Sequence, residues 1–227
     1  MPIFSPFGLN PVKYLSGSPW DGQTRQYAVT QTVNMYANSP VFIAAGTGAD
    51  PISLLKYITC VNGANPQVGT LLPVGVANGF YWTDPTGVQR YTRYWVTNTP
   101  ILAGTPVIAD VIDDFNVIYD IQVGGGASTL LNPVAGTIAA NQVGYNATFG
   151  ALLNAGSTAN GGGSNAFLST DANGNALAPA ATATFPLQIL GLSSTASYPG
   201  NAYGANYNVV QVRFNAHQFK AGTLGAI

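Results

Sequence analysis

The stretch Phe115-Asn116-Val117-Ile118-Tyr119-Asp120-Ile121-Gln122-Val123 alternates in a way that only an extended chain can use. Val117, Tyr119, Ile121 and Val123 fall on one face, and Asn116, Asp120 and Gln122 share the other with Ile118. A period of two predicts a half-buried β-strand. Just upstream, Pro106-Val107-Ile108-Ala109-Asp110-Val111-Ile112 is apolar and β-branched, and Asp113-Asp114 supplies turn chemistry. The reading is a β-hairpin from Pro106 to Val123, stopped by Gly124 to Gly126. A hairpin alone is marginal in water, so the flanking sequence must supply more strands and a core.

Residue usage points the same way. All eight acidic residues are Asp, and Asp prefers turns and caps where Glu builds helices. Only 7% of the 227 residues are charged, against about 25% in ordinary soluble domains. Between Asp120 and Arg213 the single charge is Asp171. The polar surface must therefore come from Asn, Gln, Ser, Thr and backbone, which suits a protein packed against partners. Seven Lys and Arg spread from Lys13 to Lys220, with a net charge of −1, make no basic patch and argue against direct nucleic-acid binding. Cys60 is the single cysteine, so no disulfide forms within the chain. The opening Met-Pro-Ile-Phe does not read as a secretory signal, and no apolar run has the length of a membrane span. Asn146-Ala147-Thr148 reads as a chance sequon.

In chain order, residues 1–20 interleave Pro2, Pro6, Pro11 and Pro19 with Ile3, Phe4, Phe7, Leu9, Tyr14, Leu15 and Trp20. That density of proline forbids helix and predicts an extended arm. The arm either folds back over its own barrel or lies along a neighbouring subunit. Residues 21–220 read as one β domain and 221–227 as a tail. Strands are expected within Thr24–Tyr36 and Pro40–Gly46, and again within Ile52–Val61, the last partly helical. Gly69, Pro73 and Gly75 suggest strands bent as at barrel corners. Phe80-Tyr81-Trp82 meets a turn at Asp84-Pro85-Thr86-Gly87, and Val88 to Val96 resumes as strand. Residues 124–183 are rich in Ala, Gly, Asn, Ser and Thr, predicting long loops with weak strands near Val143–Phe149 and Phe167–Thr170. Phe185–Leu192 and Asn208–Asn215 should join the sheet of the central hairpin. The loop between them, carrying Tyr198, Tyr203 and Tyr207, should be exposed. The fold expected is all-β, an antiparallel barrel or jelly-roll-like sandwich with a Pro-rich arm and long Gly/Ala/Asn-rich loops.

Catalytic signals are weak. His217 is the single histidine and no G-x-S-x-G elbow occurs, so a structural or interface role is expected for it. Cys60 among Tyr57, Ile58 and Val61 reads as a buried thiol. Asp110, Asp113, Asp114 and Asp120 could hold a hard cation or act as glycosidase carboxylates, but their spacing fits turn and edge-strand duty better. The glycine runs lack phosphate-loop partners. Neither metal nor cofactor is expected. Trp82, Tyr91, Tyr94 and Trp95, with Phe80 and Tyr81, either stack on sugars or pack a core and an interface, the second being preferred.

Several stretches together resemble the capsid decoration, or cement, proteins of tailed bacteriophages. They are Tyr14-Leu15-Ser16-Gly17-Ser18-Pro19-Trp20-Asp21-Gly22, Pro40–Gly46, Val74–Tyr81, Asp113–Gln122, Phe185–Leu192 and Asn208–Gln218. The chain departs from that pattern at Asn38-Ser39, where such proteins often carry Gly-Asp before the Pro-Val strand. The resemblance implies a non-enzymatic virion protein on the outer surface of the head, made in the bacterial cytoplasm. Its partners would be the major capsid protein and copies of itself, a homotrimer ahead of a dimer, without nucleic acid or membrane. The contact residues expected are Phe4, Phe7, Tyr14 and Trp20 in the arm, and Tyr198 and Tyr203 in the late loop. The alternative is a carbohydrate-binding fibre or receptor-binding domain.

Overall fold

The computed structural model describes residues 5–44, 46–60, 72–125, 135–150, 156–158, 161–170, 179–181, 185–194, 198 and 200–219. Phe4 and the 221–227 tail lie outside them. In chain order the strands are β1 (Asn10–Tyr14), β2 (Arg25–Val29), β3 (Met35–Tyr36), β4 (Pro40–Ile43), β5 (Tyr57–Thr59), β6 (Pro73–Thr83), β7 (Gln89–Thr92), β8 (Tyr94–Trp95), β9 (Ile108–Ile112), β10 (Val117–Gly124), β11 (Asn146–Ala147), β12 (Gly156–Ser157), β13 (Gly163–Ser164), β14 (Leu168–Ser169), β15 (Leu187–Leu192) and β16 (Val209–Phe214). One short 3₁₀ turn, Ala140–Gln142, is the only helical element among the described residues. The protein is all-β.

Five strands close into a barrel in the order β4-β5-β2-β9-β6 and back to β4. The β2–β5 pair is parallel and the other four are antiparallel. Closure falls to β6, whose first residues pair with β4 while its later ones pair with β7, and both partners need it to bend. Gly75 permits the bend: a Cβ there would come within 2.3 Å of the Ile112 carbonyl oxygen. The bulges at Val41/Phe42 and Ala77/Gly79 add local twist. A second sheet runs β1-β10-β16-β15-β11, with β14 parallel to the end of β10. Barrel and sheet share one continuous apolar core that includes Phe42, Ile58, Val76 and Phe80 from the barrel, with Tyr119, Ile121, Val212 and Phe214 from the sheet. Each such side chain contributes about 1.5–3 kcal/mol through burial.

The central hairpin is corrected. β9 and β10 are both strands, but they do not pair; β9 is flanked by β2 and β6, and β10 by β1 and β16. Both edges of β9 are thus taken before the chain reaches β10. The connection is tied down elsewhere: the Asp113 carboxylate accepts from the Tyr27 hydroxyl at 2.9 Å and pairs with Arg25 at 3.2 Å. Asp114 accepts from the Asn116 amide at 2.8 Å in an Asx turn that sends the chain to the other sheet. Nor is β10 half-buried, because Ile118, Asp120 and Gln122 on its polar face are covered as fully as the apolar face.

Other expectations fare better. β4, the β6–β7 hairpin across Asp84–Gly87, weak β11 and β14, and β16 beside β10 with β15 beyond it stand where the sequence puts them. The Ile52–Val61 candidate shrinks to β5, preceded by a tight turn with no helix in it. Residues 5–20 of the arm fold back on their own chain, but onto the companion sheet rather than the barrel. β1 adds antiparallel to β10, Leu9 is fully buried, and the Ser5 amide donates to Gln122 Oε1 at 2.7 Å. The turn after β1 then covers its outer edge, with Trp20 N donating to the Val12 carbonyl.

Tyr119 sits at the centre of the sheet with its ring edge-on to Phe214, at 5.5 Å between centroids. Its hydroxyl is buried without a hydrogen-bond partner among the described residues, and burial pushes its pKa well up. Tyr119→Phe keeps the ring contact and removes the desolvated oxygen, so it should raise stability by about 1 kcal/mol. Urea unfolding reads this as a later midpoint, and an earlier one would show that the hydroxyl is satisfied.

Candidate functional site

The sequence-predicted contact residues fall in two groups. Phe7 and Tyr198 stack in parallel, with centroids 5.7 Å apart and planes 7° from parallel. The arm and the late loop, expected as separate surfaces, are therefore one surface. Next to Phe7, the arm passes close over the turn between β3 and β4 at Gly8, where φ is +78° and a Cβ would lie 2.3 Å from the Asn38 carbonyl oxygen. Tyr203 is exposed on the same loop, its hydroxyl end over Gly191 in β15. The loop is not free: Asn201 Nδ2 donates to the Ser193 and Val209 carbonyls, and its Oδ1 accepts from Val209 N. Ser193 in turn donates to the buried Asp120 carboxylate at 2.6 Å. Burial, and then the charge of Asp120, raise the pKa of Tyr198.

Tyr14 and Trp20 belong to a different place, on the turn that flanks β1. The Tyr14 hydroxyl donates to Asp21 at 2.5 Å, which raises the pKa of the phenol and lowers that of the acid. Trp20 packs half-buried against the core. With Leu15, Ser16, Ser18, Asp114 and Asn116, Tyr14 lines an open cleft of ≈ 560 Å³.

The Asp cluster disperses. Asp110 interacts with Tyr81, Asp113 holds Arg25 and Tyr27, Asp114 caps Asn116, and Asp120 takes Ser193. Among the described residues no three His, Cys or acidic side chains converge to hold a metal ion. His217 is fully buried amid Phe115, Phe214 and Phe219, and its Nδ1 accepts from Phe219 N at 3.2 Å. Its duty is structural. Cys60 is buried, with its thiol 3.6 Å from the Pro40 carbonyl. The aromatic group also divides: Trp95 is in the core with Trp82 edge-on to it at 5.7 Å, while Tyr91 lies half-exposed against Tyr81.

The most exposed large apolar side chain among the described residues was not foreseen. The turn Asp50–Leu55 presents Ile52 at 59% and Leu54 at 77% exposure. It is rigidly built. The Asp50 carboxylate accepts from Ser53 N at 2.6 Å, Ser53 Oγ at 2.7 Å, Ile52 N at 3.2 Å and the Tyr57 hydroxyl at 2.8 Å. Asp50 N donates to the Leu55 carbonyl and Leu54 N to the Asp50 carbonyl, both at 2.8 Å. Leu54 itself has φ +58°, a left-handed conformation that costs a leucine about 1–2 kcal/mol. The Asp-Pro-x-Ser spelling at Asp50–Ser53 was the available signal, since Asp before Pro initiates turns.

These hydrogen bonds, Ser53 N first, hold the Asp50 pKa below its ordinary value. A depressed carboxylate pKa stabilises the fold above the unfolded value, near 4, and loses that contribution as pH falls through the folded one. Amide exchange at Ile52 and Ser53 should therefore be slow at neutral pH and quicken, beyond intrinsic chemistry, in acid below about pH 4. Unchanged protection there would show that Asp50 does not hold the turn.

A closed five-stranded barrel with a companion sheet and a rigid apolar turn defines a β scaffold with presented side chains. Compared with protein-family models, curated proteins and solved structures, the chain matches none.

Proposed function

We propose that the protein is a structural component of a virion that binds the outer surface of a tailed-bacteriophage head and cements neighbouring capsomers. The observation that carries the reading is the Asp50–Leu55 turn, where a buried carboxylate holds a strained, solvent-exposed leucine in place. A free monomer gains nothing from that arrangement, whereas an apolar anchor entering a partner's pocket does. The charge-poor surface supports the same reading, because few ions have to be desolvated on docking. The resemblance of Tyr14–Gly22, Asp113–Gln122 and the other stretches to decoration proteins names the partner class. One leucine is worth about 2–3 kcal/mol on burial, a weak anchor that becomes a strong one when copies of this chain, joined with one another, engage several capsid subunits together.

The cementing role is tested by heating DNA-filled heads that lack the protein, with and without added protein, and following DNA release by dye fluorescence. Release several degrees later with the protein present is the expected result. Identical release curves at saturating protein would remove the cementing role.

A further inference from the structure

We infer that the outer face of the barrel carries a binding site for neutral oligosaccharide, formed by Tyr91, Tyr81, Asp110 and Gln26 across four adjacent strands. The site is separate from the Asp50–Leu55 turn and does not depend on the cementing role.

The register builds it. Tyr91 on β7 pairs with Tyr81 on β6, and their rings lie 4.7 Å apart at 45°. Gly79, on the same strand as Tyr81, lies beneath the Tyr91 phenol, where a Cβ would come within 2.3 Å of the hydroxyl oxygen. With no side chain in the way, the Tyr91 ring lies back against the sheet while the residue remains 52% exposed. Opposite Gly79 on β9 is Asp110, and opposite Asp110 on β2 is the exposed Gln26. Aromatic face, carboxylate and carboxamide thus form a strip about 14 Å long at the usual inter-strand spacing.

Such a strip has the chemistry of a sugar. The apolar C–H face of a pyranose packs on an exposed aromatic ring, and its hydroxyls donate to a carboxylate in short, charge-assisted bonds. The Tyr81 hydroxyl interacts with Asp110, and a carboxylate offers about four acceptor sites, so further hydroxyls can be received. Gln26 supplies donors as well as acceptors. The negative charge of Asp110 opposes sialic and uronic acids, which fixes the class as neutral hexoses or N-acetylhexosamines.

The test is NMR of the tyrosine rings in the intact protein, titrated separately with maltohexaose, cellohexaose and chitohexaose, with sialyllactose as the anionic comparison. At least one neutral hexasaccharide should shift the Tyr91 and Tyr81 resonances saturably below about 10 mM, in the affinity range of a few hydrogen bonds and one stacked ring. Tyr91→Ala should weaken that binding at least about tenfold and Tyr91→Phe should retain it, because the ring face rather than the hydroxyl makes the contact. Asp110→Asn should weaken it as well, with the melting transition checked for each variant. The proposal is overturned if no neutral sugar moves these resonances, if only sialyllactose does, or if binding survives Tyr91→Ala. It is equally overturned if Tyr91→Ala leaves sugar binding undetectable in both proteins but lowers affinity for heads, which would make this face a protein interface.

Discussion

A protein lacking residues 1–20 is expected to lose its cooperative thermal transition and to bind hydrophobic dye at room temperature. The deletion removes β1, which pairs with β10 from Asn10–Asp120 to Tyr14–Val117, and it removes the fully buried Leu9. Leu9 alone is worth about 2–3 kcal/mol. Losing β1 also bares one edge of β10, whose side chains are buried on both faces, and leaves a central strand open to water and to other chains. Tyr198 loses its stacking partner Phe7 and Gln122 its Ser5 donor, so the late loop loosens too. The sum approaches the whole stability of an ordinary domain, about 5–15 kcal/mol. Circular dichroism melts with dye binding measure it. A cooperative melt within a few degrees of the intact protein would show that β1 is dispensable and that the segment acts as an arm.

Substitutions at Leu54 separate what serves the fold from what serves binding. Leu54→Gly removes the left-handed strain and an exposed apolar side chain, and is expected to leave the protein as stable or up to about 1 kcal/mol more stable. Leu54→Asp keeps the position exposed but puts a charge where an apolar pocket would close, which should weaken head binding by about a hundredfold or more. Both variants should melt cooperatively, because the Asp50 hydrogen bonds that define the turn come from Ser53, Ile52 and Tyr57. Denaturant titration gives the stability and co-sedimentation the affinity. If Leu54→Gly proves strongly destabilising, the leucine is a structural residue and the docking reading of the turn fails.

Sequence pattern located most of the long strands because alternation and glycine reveal local geometry. The bend of β6 at Gly75 and the Asp84–Gly87 turn were legible for that reason. Pairing partners were not. Asp113-Asp114 reads equally as hairpin turn or as sheet crossover, and the choice is made by β2 and β6 occupying the edges of β9, a long-range fact absent from the local spelling. The two-sided burial of β10 was hidden for a related reason: Asp120 and Gln122 look like a solvent face until Ser193 and Ser5 arrive from distant segments to bond them. Of the candidate contacts, Phe7 and Tyr198 were found individually, but their stacking needed the fold. The Leu54 turn was missed because an apolar residue at Asp-Pro-Ile-Ser-Leu-Leu reads as core, and only its left-handed backbone turns it outward.

Docking of this β scaffold on a viral shell through its apolar turn can be read by co-sedimentation. Purified heads lacking the protein are mixed with increasing amounts of the intact chain, and in parallel with Leu54→Asp, then pelleted and quantified. Saturable binding of the intact protein at a fixed ratio to the major capsid protein, with Leu54→Asp left in the supernatant, is expected. An intact chain that never pellets with heads would rule out docking on the shell, and a variant that pellets equally well would rule out the turn as its anchor.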